Sequence, residues 1–206
     1  MKLQRLAGFG PAAAFVSAFA LLVIAVINYA PITPSVFVPA FITFLAAFVV
    51  WTGSLTVTLF DLEWLEHPAT STPVIRVALA AILIAMVMPG VLALVVFAGA
   101  PIPLAIPWTL IFLGVGVSLL VHNLEARRAK LLHGALPWIG IVTGGFFIYL
   151  GLLQFIFMFT PKLVMGFFYG LPVTQLTYLI WAIWMGVHLL RARSSAKAPA
   201  TRAATA

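Results

Sequence analysis

The sequence contains no cysteine among its 206 residues. This excludes disulfide bonds, zinc sites built on thiolates, iron–sulfur clusters and cysteine nucleophiles. Charged residues are also scarce, at 7% of the chain, whereas a soluble domain carries about a quarter. So few charges cannot cover a water-facing surface, and the composition therefore excludes an ordinary soluble domain. No catalytic or ligand-binding motif stands out, so function has to be inferred from the places that polar residues occupy.

Long apolar runs fill the chain instead, and hydrophobic residues make up 64% of it. A helix of about 20 apolar residues crosses the hydrocarbon core of a bilayer. Runs of that length lie at 8–30, 35–60, 74–99, 104–122, 135–159 and 171–190. We therefore predict an all-α, polytopic integral membrane protein with six transmembrane helices, arranged as three antiparallel hairpins. This domain covers residues 1–193, and a disordered basic tail covers 194–206.

The first apolar run could be a secretory signal, because Lys2 and Arg5 precede it. The run is too long for a typical signal core, however, and Pro31 after Ala30 disfavours cleavage there. We interpret it as a retained first helix.

Basic residues predict the orientation of the helices. With six spans, ten of the eleven basic residues fall on one side, and only Lys162 falls on the other. Basic residues favour the cytoplasmic side of a membrane, so we expect both termini in the cytoplasm and the protein in the cell (plasma or inner) membrane. The net charge of +7 is explained by this arrangement, and we expect no nucleic-acid partner.

Two glutamines are the first candidates for a pore or substrate site. Gln154 and Gln175 lie at similar depth near the outer ends of the fifth and sixth runs, with Thr174, Tyr149 and Tyr178 nearby. A buried amide must find a partner. The two amides therefore either bond to each other or line an outer vestibule for a small polar solute.

Hydroxyl residues on the second helix form a second candidate set. Thr52 and Thr56 are four residues apart and share one helix face. Hydroxyls can bond to a carbonyl one turn back, which favours helix packing. A pore lining is the alternative.

Four histidines are expected at one depth, near the cytoplasmic end. Together with an acidic residue they have the chemistry of a metal-ligand set; the weak candidates are His67, His122, Glu125, His133 and His188. No metal-binding spacing supports this set, and histidine is at home at a membrane interface. His122 and His188 are also the candidate ligands for one haem b. We expect no cofactor, with one haem b or one metal ion as minor alternatives.

Small residues predict close helix packing. Gly140 and Gly144 form a GxxxG pair in the fifth run, and Gly114 and Gly116 lie in the fourth. Pro89 and Gly90 predict a kink or break in the third helix.

Three functional hypotheses remain. The first is a small homo-oligomeric channel or carrier for a small neutral or weakly acidic solute, since no charged residue is expected at mid-membrane. The second is an accessory or cofactor-holding membrane subunit of a larger energy-transducing complex. The third is an intramembrane metal-dependent enzyme. In each case the partners are the lipid bilayer and either copies of the chain or other membrane proteins.

Overall fold

The computed structural model describes residues 9–31, 33–66, 73–157, 159 and 164–203. These residues form α1 (Gly10–Tyr29), α2 (Phe37–Glu66), α3 (Pro73–Ala98), α4 (Ala105–Arg128), α5 (Leu136–Phe157) and α6 (Val164–Ala203), with a short 3₁₀ turn (Pro34–Val36) before α2. All six helices are long and apolar enough to cross a membrane. The prediction of an all-helical chain with six such helices is confirmed.

Several helices extend beyond their apolar runs. α2 and α4 continue into the polar segments that follow, as far as Glu66 and Arg128. α6 continues to Ala203, through most of the segment for which the sequence predicts disorder. Its apolar span is Gly170–Ala192, and the disorder of the tail stays a prediction.

The helices pack in a closed ring. Each helix contacts the next one along the chain, and α6 contacts α1. We call the end of this ring with Pro31 and Pro101 the proline end, and the opposite end, where Arg127 and Arg128 close α4, the basic end. Since consecutive helices contact all around the ring, the contacts do not single out three hairpins, and that grouping also stays a prediction.

Glycine brings α4 and α5 into backbone contact. A side-chain carbon at Gly144 would lie 2.8 Å from the carbonyl oxygen of Gly116 and 2.7 Å from the backbone nitrogen of Leu120. Nearer the basic end, Gly140 leaves the space that the side chain of Asn123 occupies. The predicted GxxxG pair therefore packs against α4 within the same chain.

The opposite face of α4 packs against α3 in a similar way. Gly114 lies against the backbone of Ala81, and the Ser118 hydroxyl donates a hydrogen bond of 2.7 Å to the carbonyl of Ala78. Pro89 is buried inside a continuous α3, so it does not break the helix. With neighbours on both faces, α4 has 56% of its apolar span buried, against 22% for α3.

Two contacts hold α1 in the ring. At the basic end, Gly10 packs directly on the buried carboxyl side chain of Asp61 from α2. Further along, the ring of Phe15 packs against Gly186 of α6. An acidic side chain at a helix N-terminus is favourable, because the N-terminal end carries a partial positive charge.

The two adjacent glycines of α5 allow a matched test of the backbone contact. Gly144→Ala should lower the free energy of unfolding by about 1 to 3 kcal/mol, because the added methyl forces α4 and α5 apart. Gly145→Ala meets nothing within 4 Å and should be neutral or stabilising by up to about 1 kcal/mol, as in an ordinary helix. Reversible unfolding in mixed micelles measures both variants. Equal losses in the two would contradict this packing.

Candidate functional site

Aromatic rings fill the centre of the bundle. Trp51 of α2 is fully buried, and its ring centroid lies 5.4 Å from that of Phe48, 5.5 Å from Phe147 and 5.6 Å from Tyr178. These distances are typical of favourable aromatic pairs. Trp51 therefore links α2 to α5 and α6 across the middle of the ring.

A cavity of about 200 Å³ lies beside this aromatic centre, on the side of the proline end. Side chains from five helices line it: Leu21, Ile24, Asn28, Phe48, Trp51, Trp108, Phe112, Phe147, Gln154, Leu171 and Gln175. We call it the amide cavity, after its three carboxamide side chains. Among the described residues that line it, none is charged.

The amide cavity brings together both glutamines that the sequence singled out. Gln154 comes from α5 and Gln175 from α6, and the third amide, Asn28, comes from the last turn of α1. Among the described residues, none forms a hydrogen bond with any of these three amides. The structure therefore does not contain the hydrogen bond between Gln154 and Gln175 that was one of the two alternatives.

Asn28 is a cavity residue that the sequence did not predict. In the sequence, Asn28 is the one carboxamide residue of the first apolar run, directly before Tyr29 and close to Pro31. That position resembles an ordinary helix end. Only the ring closure between α1 and α6 places it across from Gln175.

A second cavity of about 250 Å³ adjoins the first at the proline end. Asn28 and Trp108 line both cavities, and Ile27, Phe37, Phe41 and Phe44 complete the second. The shared residues make the second cavity a continuation of the amide cavity between α1, α2 and α4.

Toward the basic end the bundle is closed by large buried side chains. Tyr178 and Trp181 are fully buried, and their ring centroids are 5.8 Å apart. The Trp181 indole nitrogen donates a hydrogen bond of 3.0 Å to the side-chain oxygen of Asn123, which is also fully buried. This tryptophan–asparagine bond ties α6 to α4 beneath the aromatic centre.

Two buried polar atoms in this centre lack a hydrogen bond. The Tyr178 hydroxyl faces Ser17 and the Trp51 indole, but neither contact has hydrogen-bond geometry, and the Trp51 indole nitrogen is likewise without a partner. The Ser17 hydroxyl donates instead to the carbonyl of Ala14.

The hydroxyl candidates bond within their own helices. Thr52 donates to the Phe48 carbonyl, and Thr56 donates to the Thr52 carbonyl, each at 2.8 Å. Thr174 donates in the same way to Gly170 at 2.8 Å. Neither cavity includes any of them. Tyr149 is 48% exposed and faces outward from the ring.

The structure does not bring the described histidines into one ligand set. His122 is buried, with its Nδ1 2.8 Å from the Ser118 carbonyl oxygen and its Nε2 without a partner. Glu125 forms an ion pair with Arg128 at 2.6 Å. His133 is exposed, His188 is half-buried, and His67 lies outside the described residues. Within the described part of the chain, no three metal-ligating side chains come together.

Neither cavity is lined by the two histidines proposed as haem ligands. The amide cavity therefore offers neutral hydrogen-bonding groups and aromatic surface, and its described lining offers no ligand for iron. Its chemistry fits the binding of an uncharged solute.

No protein-family model matches the chain. No curated protein and no solved structure is significantly similar to it either.

Two substitutions test the hydrogen bonding of the aromatic centre. Tyr178→Phe keeps the ring and removes an unpaired hydroxyl, so it should leave the free energy of unfolding unchanged or raise it. Asn123→Ala removes the acceptor of a buried indole N–H and should lower it by about 1 to 3 kcal/mol. Unfolding in mixed micelles gives both values. A loss in Tyr178→Phe as large as that in Asn123→Ala would show that the hydroxyl has a partner.

Proposed function

We propose that this chain is a multi-pass membrane protein that carries a small neutral or weakly acidic solute across the bilayer, with the amide cavity as its binding site. One observation carries the proposal: three carboxamides from α1, α5 and α6 meet at one cavity without hydrogen bonds to described residues. Gln175 is buried, Gln154 is half-buried and Asn28 is exposed. A buried amide in an apolar bundle is costly unless it is bonded, so a bound polar solute would supply a partner to the two glutamines.

The closed aromatic centre favours a carrier or a gated channel over an open pore. Trp51, Tyr178 and Trp181 are fully buried and in ring-to-ring contact. A solute could pass from the cavity to the basic end only if these rings move. A site that is closed toward one end of a helix bundle fits an alternating-access carrier.

The charge of the solute follows from the lining of the cavity. An ion in an apolar bundle needs an opposite charge or several dipoles to offset its desolvation, and the described lining offers neutral amides and rings. A weakly acidic solute would therefore bind in its protonated form.

In the bilayer, we place the proline end outside and the basic end in the cytoplasm, because basic residues favour the cytoplasmic side. The amide cavity then faces the outer side. We also propose that the chain assembles as a homo-oligomer.

Glutamine variants in liposomes test the site. Gln154→Leu, Gln175→Leu and the double variant should each fold and should reduce the initial flux of acetamide or glycerol at least severalfold relative to the unaltered protein. Thr56→Val is the control, since it removes a hydroxyl that bonds within α2 and should leave flux unchanged. Stopped-flow light scattering measures these rates.

Unaltered protein that moves no small neutral solute faster than empty liposomes would contradict the carrier function. If it also co-purifies with unlike chains from native membranes, an accessory subunit of a larger complex would replace this proposal. If the double variant is more stable than either single variant while flux is unchanged, the two amides interact with each other and have only a structural role.

Reporter fusions test the orientation. Fusions after Glu66 and after Ser194 should both report a cytoplasmic position, and a fusion near Lys162 should report an external one, because six spans place these sites on opposite sides. An external signal from the fusion after Ser194 would mean an odd number of spans.

A further inference from the structure

Five of the eleven residues that line the amide cavity are aromatic. Phe48, Trp51, Trp108, Phe112 and Phe147 all line it. Leucine and isoleucine fill the remaining apolar positions, at Leu21, Ile24 and Leu171. A site for a very small polar solute such as glycerol would not need so large an aromatic surface.

The aromatic rings that line the cavity take two orientations relative to each other. Trp108 and Phe112 are stacked at an interplanar angle of 22°, and Phe112 and Phe147 at 25°. Phe48 stands nearly perpendicular to Trp51 and Trp108, at 75° and 81°. Rings in both orientations line the cavity, so a flat guest could make stacked or edge-to-face contacts with them, which are the favoured aromatic arrangements.

The volume limits the size of that guest. A dry apolar cavity of about 150 Å³ holds one benzene molecule, and the amide cavity measures about 200 Å³. It can therefore hold a single six-membered ring with a substituent of a few heavy atoms. A fused polycyclic molecule would exceed this volume and would have to extend into the second cavity.

The three amides define the polar edge of the guest. Each carboxamide offers both a donor and an acceptor, and the described lining carries no charge to pair with an ion. A carboxamide, hydroxyl or protonated carboxyl group on the ring would match these amides, whereas an anion would lose its hydration without compensation.

We propose that the amide cavity selects a neutral, single-ring aromatic solute that carries one hydrogen-bonding substituent. This inference rests on the proposed binding role of the cavity and names its substrate class. The substituent bonds to the amides of Asn28, Gln154 and Gln175, and the ring packs among Trp51, Trp108 and Phe147.

Equilibrium dialysis of the full-length protein in nanodiscs, with protein-free nanodiscs as the blank, tests this with defined probes. Benzamide should bind saturably at one site per chain. Cyclohexanecarboxamide, which has the same polar group on a non-aromatic ring, should bind about three- to tenfold more weakly. Benzoate at pH 7 should bind more than tenfold more weakly than benzamide, and acetamide should bind more weakly than cyclohexanecarboxamide because it has no ring to pack.

Variants then test the hydrogen bonds to the amides separately from the packing of the guest's aromatic ring. Gln175→Leu should weaken benzamide binding about two- to tenfold, because it removes a hydrogen-bonding partner, while toluene binding stays equal or improves. Asn28→Leu should likewise weaken the binding of benzamide and not that of toluene. Because Asn28 is exposed, this variant carries little risk of misfolding. Trp184→Phe is the control, since this tryptophan is exposed on α6 and should change neither probe.

The outcomes keep this inference separate from the carrier function. Equal binding of benzamide and cyclohexanecarboxamide, or no saturable binding of benzamide, overturns the aromatic specificity. Acetamide or glycerol flux above that of empty liposomes, with no benzamide binding, would leave the carrier function standing and remove this inference. Saturable benzamide binding without any solute flux would leave the aromatic specificity standing and remove the carrier function.

Discussion

The backbone contact between α4 and α5 at Gly116 and Gly144 sets the position of the most buried helix in the bundle. Because neither residue has a side chain, α4 moves inward until its other face meets α3 at Gly114. That inward position carries Trp108 and Phe112 into the amide cavity and Asn123 under Trp181. Van der Waals packing of small residues is the main attraction between helices in lipid, where the hydrophobic effect between them is absent. The shape of the amide cavity thus depends on the contact between Gly116 and Gly144, although neither glycine lines the cavity.

Polar side chains in the bundle divide into two groups. The threonines of α2 and Thr174 of α6 bond to carbonyls one turn back, which satisfies them without any neighbour. A carboxamide offers two donors and an acceptor, which is more than one backbone carbonyl can satisfy. Asn123 has two partners, since it donates to the Leu119 carbonyl one turn back and accepts from Trp181 of α6, while Ser118 bonds to α3. The amides that line the cavity have no such partners among the described residues. Among the described residues, buried polar atoms without a partner also occur outside the cavity lining, at Thr109, His122 and Thr143. The cavity therefore differs from ordinary packing in that three amides line one space.

The sequence predicts the helices well because hydrophobic run length is a local property. It predicts the shared neighbourhood of Gln154 and Gln175 for the same reason, since two antiparallel neighbours joined by a short connection place residues of similar depth together. It does not predict the contribution of Asn28, which depends on α6 meeting α1 at the opposite end of the chain. The aromatic centre was missed as well. Phenylalanine and tryptophan are common in any apolar run, and only packing decides which of them face inward.

Trp51 connects the amide cavity to the closed half of the bundle. Its ring lines the amide cavity and also contacts Tyr178, which contacts Trp181, which bonds to Asn123. A solute that displaces Trp51 would disturb this series of contacts in order, from α2 to α6 to α4. The weakest points are the unpaired Trp51 nitrogen and Tyr178 hydroxyl, because moving them breaks no hydrogen bond. In the proposed carrier, a solute path to the basic end would therefore require movement of these rings, while α4 and α5 keep their backbone contact at Gly116 and Gly144.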